Sequence, residues 1–461
     1  MKLRNGSGAK GAQEGGYVRN RQPEGKPAVV PEAKQAGEVR ARWAWTEAAV
    51  WSERMLTALE QGVKGGKWFS LIDKVYRPAN LLRAFARVKA NKGAAGVDHQ
   101  TIEMFEQHLE ANLEQLGAAL QDGSYRPQAL RRKWIAKPGS SEQRPLGIPT
   151  VRDRVAETAL DAVLEPIFER DFAEHSYGFR PQRGCKDALR RVDYLLKQGY
   201  NWVVDADLKS YYDTIPREQL LARVEEKVAD GPVLALIAAY LQQGVLEGMK
   251  LWQPEAGTPQ GAVISPLLSN IYLDPLDHLM AASGYEMVRY ADDFVILCRS
   301  EAEAQRALAL VQQWTAAAGL TLHPEKTRIV NATKHGGFDF LGYHFERGYR
   351  WPRRKSLKKL KDKIRVLTKR NSGQSLQVII SRVNPVTRGW FGYFKHSHYA
   401  TFIPLDQWLR MRLRSILRKR AKRRGRARKR DNQLWPNAFF TTQGLFSLVA
   451  AHAVQRQTSR R

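Results

Sequence analysis

Apolar residues along the chain switch between a spacing of three to four and a spacing of two, and the switches mark out its elements. Trp51, Met55 and Leu59 recur at helical spacing, and so do Leu81, Leu82, Phe85 and Val88. Further helices are expected over about 100–120 and over 152–172, the second with Val155, Val163, Leu164, Ile167 and Phe168 turned inward. Between them, Trp134 to Lys137 reads as a strand entering a tip at Pro138-Gly139, with Arg144 to Pro149 following. In Trp202 to Lys209 the period becomes two: Val203, Asp205 and Asp207 share one face, and Val204, Ala206 and Leu208 the other. Val288 to Leu297 reads as two short apolar strands joined where Asp292 and Asp293 sit side by side.

The remaining punctuation is helical. Pro216 opens one helix, Ser265-Pro266 caps another, and Ser300-Glu301-Ala302-Glu303 is a capping box whose helix Gly319 ends. A basic amphipathic helix is expected over 351–370 with Leu357, Leu360, Ile364 and Leu367 on one stripe. Leu405, Leu409, Leu413 and Ile416 form a second stripe, while Arg410, Arg412, Arg414 and Arg418 occupy the other sides of that helix. The Lys- and Arg-rich run from 419 to 430 continues it, with Lys419, Arg420, Lys422, Arg423 and Arg424 crowded together, so phosphate is the expected partner and RNA the expected source. The apolar, aromatic stretch 434–448 should dock on what precedes it.

Composition narrows the class. A chain of 461 residues, 43% apolar, holds two or three domains with real cores. Its net charge of +29 calls for a polyanion, most economically nucleic acid, with an acidic membrane surface as the competitor. No apolar run is long enough to span a bilayer and the N-terminus lacks a signal peptide's apolar core, so a soluble intracellular protein without membrane contact is expected. Cys185 and Cys298 make neither a zinc cluster nor a disulfide framework. Residues 1–42, rich in Gly, Lys, Arg, Gln and Glu, should be a disordered basic tail.

Candidate chemistry centres on the acids. An Asp-Asp pair among strand formers needs a cation, a hydrogen-bond network or an exposed turn; a plain hairpin accounts for it as well as a metal site does. If Asp207 meets Asp292 across a sheet, the pair could hold two magnesium ions roughly 3.5 to 4 Å apart, the arrangement used for in-line nucleotidyl transfer. Magnesium suits the donor set, because it takes few carboxylates and completes its shell with water and phosphate. Lys137 and Arg144 flank the expected hairpin tip, either as solvated cations or as a point charge and a fork for a triphosphate. Gln260, between Gly257 and Gly261, is placed for a sugar or base, or belongs to a simple turn. Arg180 and Arg183 fit a nucleic-acid backbone or plain solvation, and Lys326 a proton or phosphate contact or plain surface.

Arg144 to Pro149, Tyr177-Gly178-Phe179-Arg180-Pro181, Asp207 through Asp213, Thr258-Pro259-Gln260-Gly261, Tyr290-Ala291-Asp292-Asp293 and Phe340-Leu341-Gly342-Tyr343 stand in the order found in one family. The chain resembles the reverse transcriptases encoded by bacterial group II introns, the intron maturases, over nearly everything after residue 45. The resemblance implies an α+β right-hand polymerase: fingers, a palm with an antiparallel sheet flanked by helices, and an α-helical thumb called domain X. The implied divisions are N-terminal extension and fingers over 43–200, palm over 201–345, thumb over 346–430 and a closing segment over 431–461 without an endonuclease domain. Asp207, Asp292 and Asp293 then look like the catalytic, metal-binding triad, with two Mg2+ ions. Lys137 and Arg144 look like triphosphate contacts, Gln260 like the nucleotide-pocket glutamine, Tyr212 like the gate against a 2′-hydroxyl, and Leu341-Gly342-Tyr343 like the primer grip. Implied partners are intron RNA, an RNA template with a DNA primer, deoxynucleoside triphosphates and target DNA, in the bacterial cytoplasm at the nucleoid. A non-catalytic RNA-binding splicing factor and a host-adopted defence reverse transcriptase are the competing assignments.

Overall fold

Strand β3 (Trp202–Asp207) can lie inside a sheet because both of its faces find apolar cover. The structure, a computed structural model, describes residues 39–136, 143–248, 250–423 and 429–458. In it β6 (Glu286–Tyr290), β7 (Asp293–Cys298), β3 and β8 (Arg328–Asn331) form a four-stranded sheet in the order β6-β7-β3-β8, antiparallel throughout. Val204, Ala206, Leu208, Phe294 and Ile296 enter a large core with helices α1 (Val151–Glu169), α3 (Ser265–Ala282) and α4 (Glu301–Ala317). Val203, Val288, Val295 and Leu297, on the opposite face, pack with Leu189 and Val192 of α2 (Cys185–Lys197) and with Phe338, Phe340 and Phe345. The period-two reading of the acidic strand therefore holds, and the sheet is covered on both sides except where its carboxylates lie.

Two smaller sheets flank this one. The fingers sheet has the order β2-β1-β4-β5, in which β1 (Leu130–Ala136) runs antiparallel to β2 (Gln143–Ile148) and parallel to β4 (Val245–Glu247), which pairs with β5 (Lys250–Trp252). The other sheet, β11-β10-β9, joins Phe338–Phe340, Tyr343–Glu346 and Tyr349–Pro352, in reverse order, and leads into α5 (Arg354–Leu367), α6 (Leu376–Phe394) and α7 (Phe402–Arg420). Those helices share a core in which Leu360, Ile364, Leu405, Leu409, Leu413 and Ile416 are buried, so both expected stripes point inward. Phe440 and Leu448 of the closing segment are buried in the same core.

Several boundaries differ from the pattern. The helix expected over 100–120 is two, Ile102–Gln107 and Leu109–Gln121, broken at His108, and Phe105 stacks on Phe85 with ring centroids 5.6 Å apart. Trp351 belongs to β11 because His344 is its register partner across β10, and the helix starts only at Arg354. Pro216 is an N-cap, and Ser265 lies inside α3, its hydroxyl donating to the Pro259 carbonyl at 2.8 Å. Residues 39–42 are helical, with Arg40 donating to the Trp51 carbonyl at 2.9 Å, whereas 1–38 lie outside the described residues. Among the described residues no helix is long and apolar enough to cross a membrane.

Glu157 of α1 joins two of the site's supports. It is fully buried, and its Oε2 accepts from the backbone N–H groups of Val263 and Ile264 at the start of α3. Burial raises its carboxyl from 4.5 to about 8, so the folded chain holds a proton there that the unfolded chain has released. Stability from this group is full below pH 4.5 and declines as pH rises through about 8. Glu157→Gln, a neutral isostere, should remove that decline; urea midpoints of the two proteins between pH 5 and 8 should converge at the acid end and separate, with the variant higher, at the alkaline end.

Candidate active site

The register of the central sheet places the acids. Asp207 and Asp293 are direct partners across β3 and β7, so both carboxylates leave the same face, as does that of Asp205 two residues back. Tyr290 pairs with Asp293, leaving Ala291 and Asp292 as a two-residue tip. Ala291 has φ 59°, a left-handed conformation that costs a residue with a Cβ about 1–2 kcal/mol.

Arg289 holds that tip in place. It is fully buried; its Nε donates to both Asp277 oxygens at 2.8 and 2.9 Å, and one terminal nitrogen donates to the Asn270 Oδ1 and the Ala291 carbonyl, each at 2.9 Å. Asn270 in turn donates to the Gly178 carbonyl at 2.8 Å. Gly178 lies so close to the tip that a Cβ there would fall 2.2 Å from the Ala291 nitrogen. Helix α3, the Tyr177–Pro181 turn and the acidic hairpin are thus one bonded unit. Arg180, read as a possible backbone contact, belongs to this scaffold too: it is buried and forked onto Glu169 at 2.8 Å, because the turn's carbonyls at Ala173 and Ser176 need its donors.

Crowding sets the electrostatics. Asp293 is pushed up to about 7, by burial first and then by the charges of Asp205, Asp292 and Asp207. Asp292 is raised by burial, with Arg144 pulling the other way, and Asp205 is raised to about 6 by burial against the pull of Arg328, 3.3 Å away. Lys326 reaches Asp207 Oδ2 at 2.7 Å, so this lysine is at the acids and not on idle surface. Among the described residues no cage of three metal-ligating side chains is preformed. The acids still fit magnesium, which binds through one or two carboxylates and lets substrate phosphates and water finish its shell. Asp293, raised to about 7 by burial and then by its acidic neighbours, belongs to a donor set short of positive charge.

Tyr212 and Gln260, expected as nucleotide contacts, are brought together at the β3 exit. Ser210, at φ 50°, turns the chain into the short helix Tyr211–Thr214, where the buried Tyr211 hydroxyl donates to the Ser269 carbonyl at 2.8 Å and its ring meets that of Tyr212 edge-on at 5.4 Å. The Thr258 N–H donates to the Tyr212 carbonyl at 2.7 Å, and Gly257, at φ 86°, lies where a Cβ would be 2.4 Å from that oxygen. Gln260 donates to Asp213 at 3.2 Å, and its carbonyl accepts from Gly147 of the fingers sheet at 2.7 Å. Tyr212, Asp213, Gln260 and Arg132 line one cavity of about 120 Å³. Arg144 is exposed on β2 and biases the titration of Asp292, Tyr212 and Asp213, whereas Lys137 lies outside the described residues.

From Asp293 a groove of about 680 Å³ runs along Leu341 and Gly342 to Lys359, Lys363, Trp390 and Tyr393 of the following helices. The Leu341-Gly342 turn is pinned by the Tyr393 hydroxyl on the Leu341 carbonyl at 2.7 Å and by the Arg353 N–H on the Gly342 carbonyl at 2.9 Å. Tyr343 is a correction: its ring is buried and its hydroxyl donates to the Tyr393 carbonyl at 2.6 Å, so it props the turn and does not touch the groove.

The arginines of α7 are a larger correction. Arg414 is buried and donates to the Trp435 carbonyl and Asn437, each at 2.9 Å; Arg418 pairs with buried Asp431 at 3.1 Å. Arg412 donates to Thr368 at 2.7 Å, and Arg410 lies 3.6 Å from Asp406. Acceptors supplied by the closing segment and by neighbouring helices turn these cations inward, which helical periodicity alone cannot reveal. Lys419, Arg420, Lys422 and Arg423 are exposed, and Arg424 lies outside the described residues.

With this geometry in view, residues 135–345 match the reverse transcriptase (RNA-dependent DNA polymerase) family profile, and residues 357–435 match that of the group II intron maturase-specific domain. The protein YkfC of Escherichia coli K12 is 30% identical over 351 residues, covering 67% of this chain and 86% of the relative. The group II intron-encoded protein LtrA of Lactococcus lactis is 38% identical over 203 residues, covering 44% of this chain and 33% of LtrA. The chain belongs to the group II intron reverse transcriptase and maturase family. The stretch shared with LtrA spans about a third of that protein's length. A telomerase from Candida albicans, solved with a fragment of telomeric RNA, is 15% identical over 69% of this chain and 64% of its own, at a TM-score of 0.39.

Within that family frame, the residues missed by sequence reading are the supports. Arg289 had a signal, a cation inside an apolar strand; Asp277 and Asn270 had none, because their partner lies 12 and 19 positions away on another element. Asp277→Ala should cost about 3–5 kcal/mol in urea unfolding, because the Arg289 charge stays buried without its counterion. Arg414→Ala should release the closing segment, read as faster limited proteolysis within 431–458, while RNA affinity stays at the parent value.

Proposed function

We propose that this chain is an RNA-directed DNA polymerase that also binds its parent intron RNA as a splicing cofactor. The observation that carries the polymerase reading is the direct pairing of Asp207 with Asp293, with Asp292 at the adjoining tip. Two chain segments thereby offer carboxylates to one point, the requirement for two-metal nucleotidyl transfer. Asp207, Asp292 and Asp293 would hold magnesium. The chemistry that magnesium supplies when bound is polarisation of the attacking hydroxyl and neutralisation of the triphosphate.

The chain's own residues do the rest. The groove from Asp293 to Lys363 takes the primer end, with Leu341 and Gly342 against its last sugar and Arg353, Lys359 and Lys363 near its phosphates. Arg144 meets the triphosphate from the fingers as a bidentate fork, and Lys137 is assigned to the same task. The Tyr212 ring sits under the sugar and crowds a 2′-hydroxyl, while Gln260 bonds the nucleotide without adding charge. Lys419, Arg420, Lys422 and Arg423 meet intron RNA, and the enzyme works in the bacterial cytoplasm, at the nucleoid where its target DNA lies.

Primer extension on an RNA template with magnesium and deoxynucleotides tests the reading. Asp292→Ala should abolish extension while leaving RNA binding and the unfolding midpoint near the parent values; full extension by this variant would sink the assignment. Tyr212→Ala should raise ribonucleotide incorporation relative to deoxynucleotide incorporation.

A further inference from the structure

On the fingers sheet, strand alternation puts Arg132 and Trp134 of β1 on one face. Trp252 of β5 joins them, since it pairs with Val245, which pairs with Leu130 of the same face. The Arg132 guanidinium lies over both indoles, 5.6 Å from the Trp134 ring centre and 5.2 Å from that of Trp252. Both rings remain open to solvent, Trp134 at 46% and Trp252 at 55%. Two large indoles left in water around one guanidinium mark a surface with a partner.

The details say which kind of partner. The Trp134 indole N–H donates to Glu247 at 2.8 Å, which fixes the plane of the ring. The Arg132 side chain is only 12% exposed, and its Nε, 4.0 Å from the Glu247 carboxylate, makes no hydrogen bond. Lys250, the register partner of Glu247, adds a cation to the face, so Arg132 and Lys250 outweigh Glu247. Flat rings, a stacked guanidinium and net positive charge are the composition of a single-strand nucleic-acid platform. The surface is also continuous with the nucleotide cavity, whose lining includes Arg132 and Trp252 together with Tyr212, Asp213 and Gln260.

We propose that Trp134, Arg132 and Trp252 form a stacking platform for the nucleobases of the single-stranded RNA template next to the nucleotide pocket. The assignment rests on the polymerase reading above. Stacking suits a template strand, because every base has a π-face and the platform must accept all four; hydrogen-bond readout would favour some over others. A nucleobase here has two sources, the template strand or the incoming nucleotide, and the template is the one assigned.

The test uses the full chain and two duplexes of equal charge: a primer paired to RNA with a single-stranded 5′ overhang, and the same duplex with an abasic overhang. The parent protein should bind the base-bearing overhang about tenfold more tightly, the weight of one stacked base. Trp252→Ala and Trp134→Ala should erase that preference, Trp252→Phe should keep it, and Trp134→Ala, whose ring lies outside the nucleotide cavity, should leave the KM for deoxynucleotides unchanged. Equal binding of both overhangs by the parent protein overturns the platform and leaves the indoles to a protein partner. A raised KM for deoxynucleotides with the overhang preference intact also overturns it, by moving the incoming base onto the rings. Because binding needs no turnover, the Asp292→Ala protein should show the same overhang preference, so the platform is judged separately from the polymerase reading.

Discussion

One buried guanidinium organises the end of the central sheet where the acids lie. Arg289 has no exposure to water, and taking its charge out of solvent is tolerable only because Asp277 accepts from it three times and Asn270 and the Ala291 carbonyl take further donors. Each of those acceptors sits where the site needs a fixed point: two on α3, one at the strained tip beside Asp292. Through Asn270 and Gly178 the same network reaches the Tyr177–Pro181 turn. An ion pair of this sort adds little net stability over an apolar replacement, yet it allows one arrangement of its partners and penalises the rest.

The acids that this scaffold presents are in electrostatic debt. Burial raises the proton affinity of Asp205, Asp292 and Asp293, and the charge of Asp207 beside them adds to the effect. Three of these acids each have their own cation: Lys326 on Asp207, Arg328 on Asp205, Arg144 acting on Asp292. None of these is a buried, fully bonded pair like Arg289 with Asp277, so the acids keep lone pairs available. The distinction between a charge fixed for structure and one left free for a ligand is therefore drawn by how completely its hydrogen bonds are used.

The same distinction sorts the arginines of the thumb. A net charge of +29 invites the reading that every arginine faces phosphate. Yet Arg414 and Arg418 spend their donors on Trp435, Asn437 and Asp431, fastening the closing segment to α7. Arg412 ties α7 to the end of α5 through Thr368. Beyond Arg418, residues Lys419, Arg420, Lys422 and Arg423 are exposed, with Arg420 donating to the Gln374 carbonyl.

The sequence by itself determined the elements and the identity of the acids. Period-two alternation placed Asp205 and Asp207 on one face of a strand, the stripes of the last helices pointed inward as drawn, and the ordered motifs gave the family. These properties are local: they follow from backbone geometry and from the side chains within a few residues. Tertiary structure alone decided which acid opposes which, that Arg289 finds Asp277, that Tyr343 and four thumb arginines turn inward, and that Trp252 comes to lie beside Arg132. The physical reason is that a charge or ring takes its role from the partner it meets, and these partners sit on other elements, brought together only when the sheets and helices close their cores.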